Sequence, residues 1–255
     1  MSKVIAITNQ KGGVGKTTTA INLSAALAEA NQKILLVDFD PQINATSGIG
    51  VELDDNDETV FDAIHNKEKI RNIIINNVVA NLDLLPGSIE LSSLETELVS
   101  KQDREMVLKN VIDTVKDDYD FIIIDCPPAV GILTVNALVA SDACIIPVQC
   151  EYFSLEGLNQ VLNAIEIVRS NMNPSLKIEG LLFTMFDSRT RLGQDVVAMV
   201  KGKMKVKIFE TMIPRNIRLA EAPSNGKSIL DYDGASVGAD RYRKLAGEIL
   251  KNSEV

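Results

Sequence analysis

The 255-residue chain has one histidine, His65, and three cysteines, Cys126, Cys144 and Cys150. A lone histidine excludes a multi-histidine metal site and gives no reason to expect a histidine-based triad. No two cysteines form a Cys-x-x-Cys pair, and all three lie in or beside apolar runs, which reads as buried, reduced thiols of a cytosolic protein. No apolar run approaches the ~18 residues of a membrane span, and the opening "MSKVIAIT" lacks the shape of a signal peptide. Basic charge is scarce too. With 26 Lys and Arg against 35 Asp and Glu, the net charge of −9 argues against a surface coated in positive charge, while leaving room for a local basic patch. There is no Pro/Gly/Ser-rich linker and no internal repeat, so residues 1–255 read as a single domain, long enough to bury a substantial core.

What is present alternates. "KVIAIT" (3–8), "KILLVDF" (33–39), "NLDLLPG" (81–87), "YDFIIID" (119–125), "DACIIPV" (142–148) and "IEGLLFTMF" (178–186) are short, nearly continuous apolar runs, as expected of parallel strands covered on both faces. Helical spacing fills the gaps. Residues 18–30 place Ile21, Leu23, Leu27 and Ala28 together, and 154–171 repeat Leu155, Leu158, Leu162, Ile165 and Val168. Residues 103–118 read as an amphipathic helix capped by Asp103. Strands separated by helices predict an α/β fold, a mostly parallel twisted sheet with helices on both faces.

Between the first strand and first helix lies "TNQKGGVGKTTTA" (8–20), which resembles a phosphate-binding loop. Gly15, Lys16 and Thr17 match the end of the usual G-x-x-x-x-G-K-[S/T] pattern, but Gln10 stands where its first glycine belongs, and a second lysine, Lys11, follows. Gly12, Gly13 and Gly15 allow the backbone N–H groups around Val14 to turn inward on phosphate oxygens, and the helix N-terminus adds partial positive charge. Lys16 is expected on the β- and γ-phosphates of ATP, the Thr17 hydroxyl on Mg²⁺ and Thr18 on the α-phosphate. Acids end two neighbouring strands. Asp125 in "FIIIDCPP" is the expected Walker-B acid holding the Mg²⁺ shell. Asp40 in "LLVDFDPQ" is placed to orient the attacking water, and Asp38 either backs the metal or stabilises the loop.

"QKGGVGKTTTAINL", "VDFDPQINATSG", "YDFIIIDCPPAVG", "PVQCEYFSLEGL", "TMFDSRTRL" and "PRNIRLAEAPSNGKSI" together resemble the ParA/Soj partitioning ATPases, of the deviant Walker-A (ParA/MinD) group of P-loop NTPases. The similarity runs from about residue 3 to about residue 250. Ile43 departs from it, standing where many members have glycine in "DPQGNATSG". The resemblance implies a homodimer with ATP sandwiched between subunits, in which Lys11 reaches the phosphates of the partner's ATP. A second cation offered in trans stabilises the phosphate charge only when the dimer forms. Pro214 and Asn216 match the segment that lines the adenine pocket in similar proteins.

Residues 189–218 carry eight basic residues against Asp195 and Glu210, a local charge of +6. Lys201, Lys203, Lys205 and Lys207 alternate, which in an extended stretch puts them on one side. Such a patch suits phosphate contacts without base reading, and the lack of interleaved aromatics argues against stacking on single strands. The resemblance agrees. Related proteins bind double-stranded DNA non-specifically as ATP dimers, and Arg189 and Arg218 match positions implicated there.

Several alternatives fit less well. A MinD-like membrane-associated ATPase calls for a basic amphipathic C-terminal helix, whereas "ADRYRKLAGEILKNSEV" has mixed charge and reads as a helix packed on the body. The cysteine spacing gives no match to an iron–sulfur relative, and no arginine-rich acceptor lid suggests a small-molecule kinase. A protein using ATP only as a dimerising ligand is separated from an enzyme by phosphate release. The expectation is therefore a cytoplasmic, nucleoid-associated, Mg²⁺-dependent ATPase. ATP-driven dimerisation switches on DNA binding, and hydrolysis, stimulated by a ParB-type centromere-binding partner, resets it. With the first strand starting near residue 3, sequence-specific operator binding by an N-terminal helix-turn-helix is not expected.

Overall fold

Seven strands form one sheet: β1 (Lys3–Ile7), β2 (Ile34–Asp38), β3 (Ile75–Val79), β4 (Leu82–Leu85), β5 (Phe121–Asp125), β6 (Ala143–Gln149) and β7 (Lys177–Thr184). The computed structural model describes residues 2–151, 154–204 and 206–253, and the side chains of all of these except 154–156, 192, 203 and 253. The order across the sheet is β3-β4-β2-β5-β1-β6-β7, parallel throughout except that β3 runs antiparallel to β4 at one edge. The helices are α1 (Lys16–Glu29), α2 (Asn44–Gly48), α3 (Val60–His65), α4 (Ile70–Ile73), α5 (Leu91–Glu97), α6 (Val107–Ile112), α7 (Ile132–Ala140), α8 (Ser154–Asn171), α9 (Arg191–Lys203), α10 (Ile217–Ser224), α11 (Ile229–Asp233) and α12 (Val237–Ser253).

The continuous apolar strands are explained by two cores, one on each face. Along β1, Val4 and Ala6 join the core beneath α6, α7 and α8, while Ile5 and Ile7 join the core beneath α1 and α12. Leu23 and Leu27 of α1 are fully buried, so truncating either to alanine would cost about 2–5 kcal/mol. The apolar side of α12, with Tyr242, Leu245, Ala246 and Ile249, is buried against α1 and the sheet, and Arg243 pairs with Glu29 at 2.6 Å. Among the described residues no helix is long and apolar enough to cross a membrane.

A proline inside a central strand needs an account, because it cannot donate to the ladder. The pairing of β6 with β1 ends at Ile145, two residues before Pro147, so no ladder bond is lost there. The Asn9 side-chain amide then donates to the Pro147 carbonyl at 2.6 Å.

Two expectations are corrected. The helix expected over 103–118 is only α6, 107–112. Asp103 is no cap: it takes a left-handed φ of 55° in a turn closed by Met106 N–H to its carbonyl. The buried Asn136 amide holds that turn by donating to Arg104 O at 2.9 Å. Strand β3 was not expected. Its "INNVV" has exposed Asn76 and Asn77 at the centre, as an edge strand permits and an apolar-run search passes over.

Candidate functional site

The C-terminal ends of β1, β2 and β5 meet at one point, since Asp125 lies in register with both Ile7 and Asp38. Residues 8–15 arch over it and enter α1. Gly13 and Gly15 adopt φ of 73° and 89°, a region costly for residues with a Cβ, and Gly15 caps α1 without a side-chain bond. The loop is tied down on both flanks. The Thr184 hydroxyl of β7 donates to Val14 O at 2.8 Å, and the Gln149 amide of β6 donates to Gly13 O at 2.9 Å. Asn9 Oδ1 accepts the Lys11 N–H at 3.0 Å.

The two lysines occupy different settings. Lys16 is buried, its ammonium donating to Lys11 O at 3.3 Å across the loop. Burial lowers its pKa, and the charges of Asp125, Cys126 and Asp40 oppose that shift. Lys11 lies at the rim, donating to Glu151 at 2.9 Å and Gln149 Oε1 at 3.1 Å.

The acids beneath the loop divide their roles. Asp38 is fully buried and saturated: Oδ2 accepts the Thr46 N–H at 2.8 Å and hydroxyl at 2.7 Å, and Oδ1 accepts the Asp40 N–H at 3.3 Å. Those bonds tie Asp38 to Thr46 of α2 and to the backbone of Asp40. Desolvation nonetheless raises its pKa to about 6. Asp40, also buried, accepts the Gln42 N–H through Oδ1 at 3.0 Å, and its Oδ2 accepts no hydrogen bond among the described residues. Asp125 differs from both. Its side chain is fully buried and neither oxygen completes a hydrogen bond. Burial raises its pKa well above the ordinary value, with the Asp38 charge adding, while the Thr17 hydroxyl opposes this without reaching hydrogen-bond geometry.

An orphaned buried carboxylate is costly unless a ligand completes it. A Mg²⁺ ion fits: it keeps several waters and takes only one or two protein ligands beside phosphate oxygens. Thr17 and Asp125 are the residues that would hold it.

Beside the loop, a cleft of about 430 Å³ runs from Gly15 and Thr18 to residues 213–220, with Thr184, Met185 and Tyr242 in its walls. Pro214 and Asn216 both line it. Asn216 Oδ1 is committed as the cap of α10, accepting the Arg218 N–H at 2.8 Å, so its Nδ2 is the group left for a base. Asn9, Gln149, Glu151, Thr184, Met185 and Tyr242 were not anticipated. All but Asn9 come from distant parts of the chain; Gln149 and Glu151 lie in "PVQCEYFSLEGL" and Thr184 and Met185 in "TMFDSRTRL", stretches that carry the resemblance but gave these residues no role.

The basic segment is not one patch on an extended strand. Lys201 and Lys203 lie on α9, where successive residues are about 100° apart, so the period-two alternation of an extended strand does not apply to them. Lys205 falls outside the described residues. Lys207 precedes a bridge between Ile208 and Leu181, and its ammonium lies 3.9 Å from the buried Glu179. Arg189, 87% exposed, is paired bidentately with Asp187 at 2.9 and 2.8 Å. Arg218 pairs with Glu221 at 2.9 Å and Asp233 at 3.5 Å.

A family model described as an AAA domain matches residues 2–178, which hold the loop and all three acids. The sporulation initiation inhibitor protein Soj of Bacillus subtilis (strain 168) is 52% identical over 252 residues, covering 99% of this chain and 100% of that protein. The chain belongs to the Soj/ParA family of partitioning proteins. The chromosome-partitioning ATPase Soj of Treponema pallidum (strain Nichols), another Soj/ParA protein, is 51% identical over 250 residues, 98% of each chain. Among solved structures, cobyrinic acid a,c-diamide synthase from Mycobacterium smegmatis with bound ADP and magnesium is 34% identical, with a TM-score of 0.87 over 100% of this chain and 96% of that one. The α/β sheet described above is thus the architecture of P-loop proteins related to the Soj/ParA family.

Proposed function

We propose that this chain is a Mg²⁺-dependent ATPase switch for DNA segregation, acting as a single P-loop domain over residues 1–255. The observation that carries the reading is the orphaned Asp125 carboxylate under the first turn of α1, between buried Lys16 and Thr17, with a second lysine at the rim. The backbone N–H groups of residues 12–17 and the α1 N-terminus receive the phosphates of ATP. Lys16 neutralises the β- and γ-phosphates. The metal, when bound through Thr17 and the Asp125 shell, supplies charge neutralisation on those phosphates. Asp40 uses its uncommitted oxygen to orient the attacking water in line with the γ-phosphate. Adenine occupies the cleft at Pro214 and Asn216.

Lys11 then acts between subunits, reaching the partner copy's ATP in a homodimer that sandwiches two nucleotides. The dimer binds double-stranded DNA non-specifically through Arg189, Arg218, Lys201, Lys203, Lys205 and Lys207, and hydrolysis returns it to monomers. A ParB-type centromere-binding protein is the partner that accelerates that step, and the protein works in the cytoplasm on the nucleoid. Burial of the apolar side of α12 favours DNA over the MinD-like alternative of a membrane surface.

The test is binding to a random-sequence duplex with no nucleotide, ADP, or ATP and Mg²⁺, across a salt series. Binding only with ATP, falling steeply with salt, is expected. Arg218→Glu should lose it with ATP-dependent dimerisation intact. No binding in any state would remove the DNA arm and make liposome binding the next measurement.

A further inference from the structure

A groove of about 360 Å³ opens between α5, the loop after it and the first turn of α7. Its apolar lining is uncovered: Val99 is 68% exposed, Met172 39% and Val130 38%. Water-facing apolar side chains gathered in one concave place mark a contact surface rather than ordinary scatter.

The charge around the groove is net negative. Residues 90–105 carry five acids against Lys101 and Arg104. Arg104 lines the groove, but its guanidinium is already engaged, donating to Glu105 at 2.9 Å and to Val99 O at 3.3 Å. Glu95 is exposed and holds no hydrogen bond or ion pair among the described residues. Its carboxylate lies against Gly131, where a Cβ would come within 2.7 Å of Oε1. The uncompensated charge in the groove is therefore negative and rests against its apolar floor.

We propose that this groove docks a segment of a partner protein in which an apolar side chain is flanked by arginine or lysine. The apolar group covers Val99, Val130 and Met172, and the cation pairs with Glu95. Nucleic acid is disfavoured here by the same acids. The location has a consequence for the nucleotide site, because five residues, 126–130, join Asp125 to Gly131, and Pro128 among them would touch a Cβ at Gly12 at 3.9 Å. An occupant on Val130 bears on the stretch that carries Asp125. The proposal goes beyond the ATP switch, and its binding test needs no nucleotide, so either can fail without the other.

The probe is a fluorescein-labelled, amidated heptapeptide of leucine, arginine and glycine, compared with one of equal charge in which serine replaces leucine. Anisotropy at physiological salt should show the leucine peptide binding at least tenfold tighter. Val99→Ser and Glu95→Gln, both at exposed positions, should each weaken it about three- to tenfold, with unchanged thermal midpoints. Equal binding of the two peptides, or binding indifferent to both variants, would overturn the proposal. So would a Val99→Ser protein that binds the peptide normally but loses mass as an ATP dimer, since the groove would then belong to a second copy.

Discussion

The Lys11 ammonium is held by Glu151 of its own subunit at 2.9 Å, at the outer rim of the phosphate loop. In the proposed dimer the same ammonium serves the partner's ATP, so this ion pair must be exchanged for a phosphate contact, once in each subunit. Both side chains are well exposed, at 36% and 56%, and such a pair contributes only about 0.2–1 kcal/mol. Two of them amount to about 1 kcal/mol, or roughly a fivefold change in an equilibrium constant. Glu151→Gln should therefore dimerise at a two- to fivefold lower ATP concentration, read by light scattering. Weaker dimerisation in that variant would mean that Glu151 supports the dimer instead of restraining Lys11.

Asp40 offers one committed and one open oxygen, which separates positioning from binding. Asp40→Ala should keep ATP-dependent dimers and reduce phosphate release at least a hundredfold, the scale of a lost general base or water-orienting group. Lys16→Ala, lacking the buried ammonium, should lose dimerisation itself. Undiminished turnover in Asp40→Ala would remove the residue from the mechanism.

The contrast between these residues and the rest of the site shows what a sequence makes legible. The strand–loop–helix at 3–29 and the strand-end acids Asp38 and Asp125 are local signals, written in runs of adjacent residues. Gln149 and Thr184, which hold the loop, are separated from it by more than 130 residues and are brought there only by the strand order. The lysine alternation at 201–207 misled because period-two spacing has meaning only in a strand, and α9 extends through Lys203. Asp103 misled in the same way: an acid before an apolar-periodic run is a cap only if its backbone is extended, and here it is left-handed.

Ile43 illustrates a substitution whose cost is in the backbone. It sits at φ 50°, ψ 28° ahead of α2, a conformation that costs a β-branched residue about 1–2 kcal/mol. Glycine removes that strain but adds unfolded-chain entropy of about 0.5–1 kcal/mol. Ile43→Gly should therefore leave stability unchanged or raise it by up to about 1 kcal/mol in urea unfolding. A loss greater than about 1 kcal/mol would show that packing of the half-buried side chain outweighs the strain.

The fully buried, unbonded Asp125 makes the nucleotide-free protein less stable than its packing allows. Its folded pKa is raised above the ordinary 3.8 by desolvation, and that of Asp38 is raised to about 6. A carboxyl raised in the folded state binds its proton more tightly there than in the unfolded chain. Stability is then greatest below about pH 4 as far as these two groups are concerned. It falls as pH rises from about 4 to 6 for Asp38, and Asp125 adds a fall of the same sign as pH rises above about 4. Asp125→Asn removes the charge with nearly the same shape, so in EDTA the variant should be more stable than the wild type at pH 7. Its stability should also vary less between pH 5 and 8, and magnesium with ADP should raise its thermal midpoint less than that of the wild type. A variant less stable than the wild type at pH 7 in EDTA would mean that the carboxylate is satisfied without a ligand, and the metal-site reading would lose its main support.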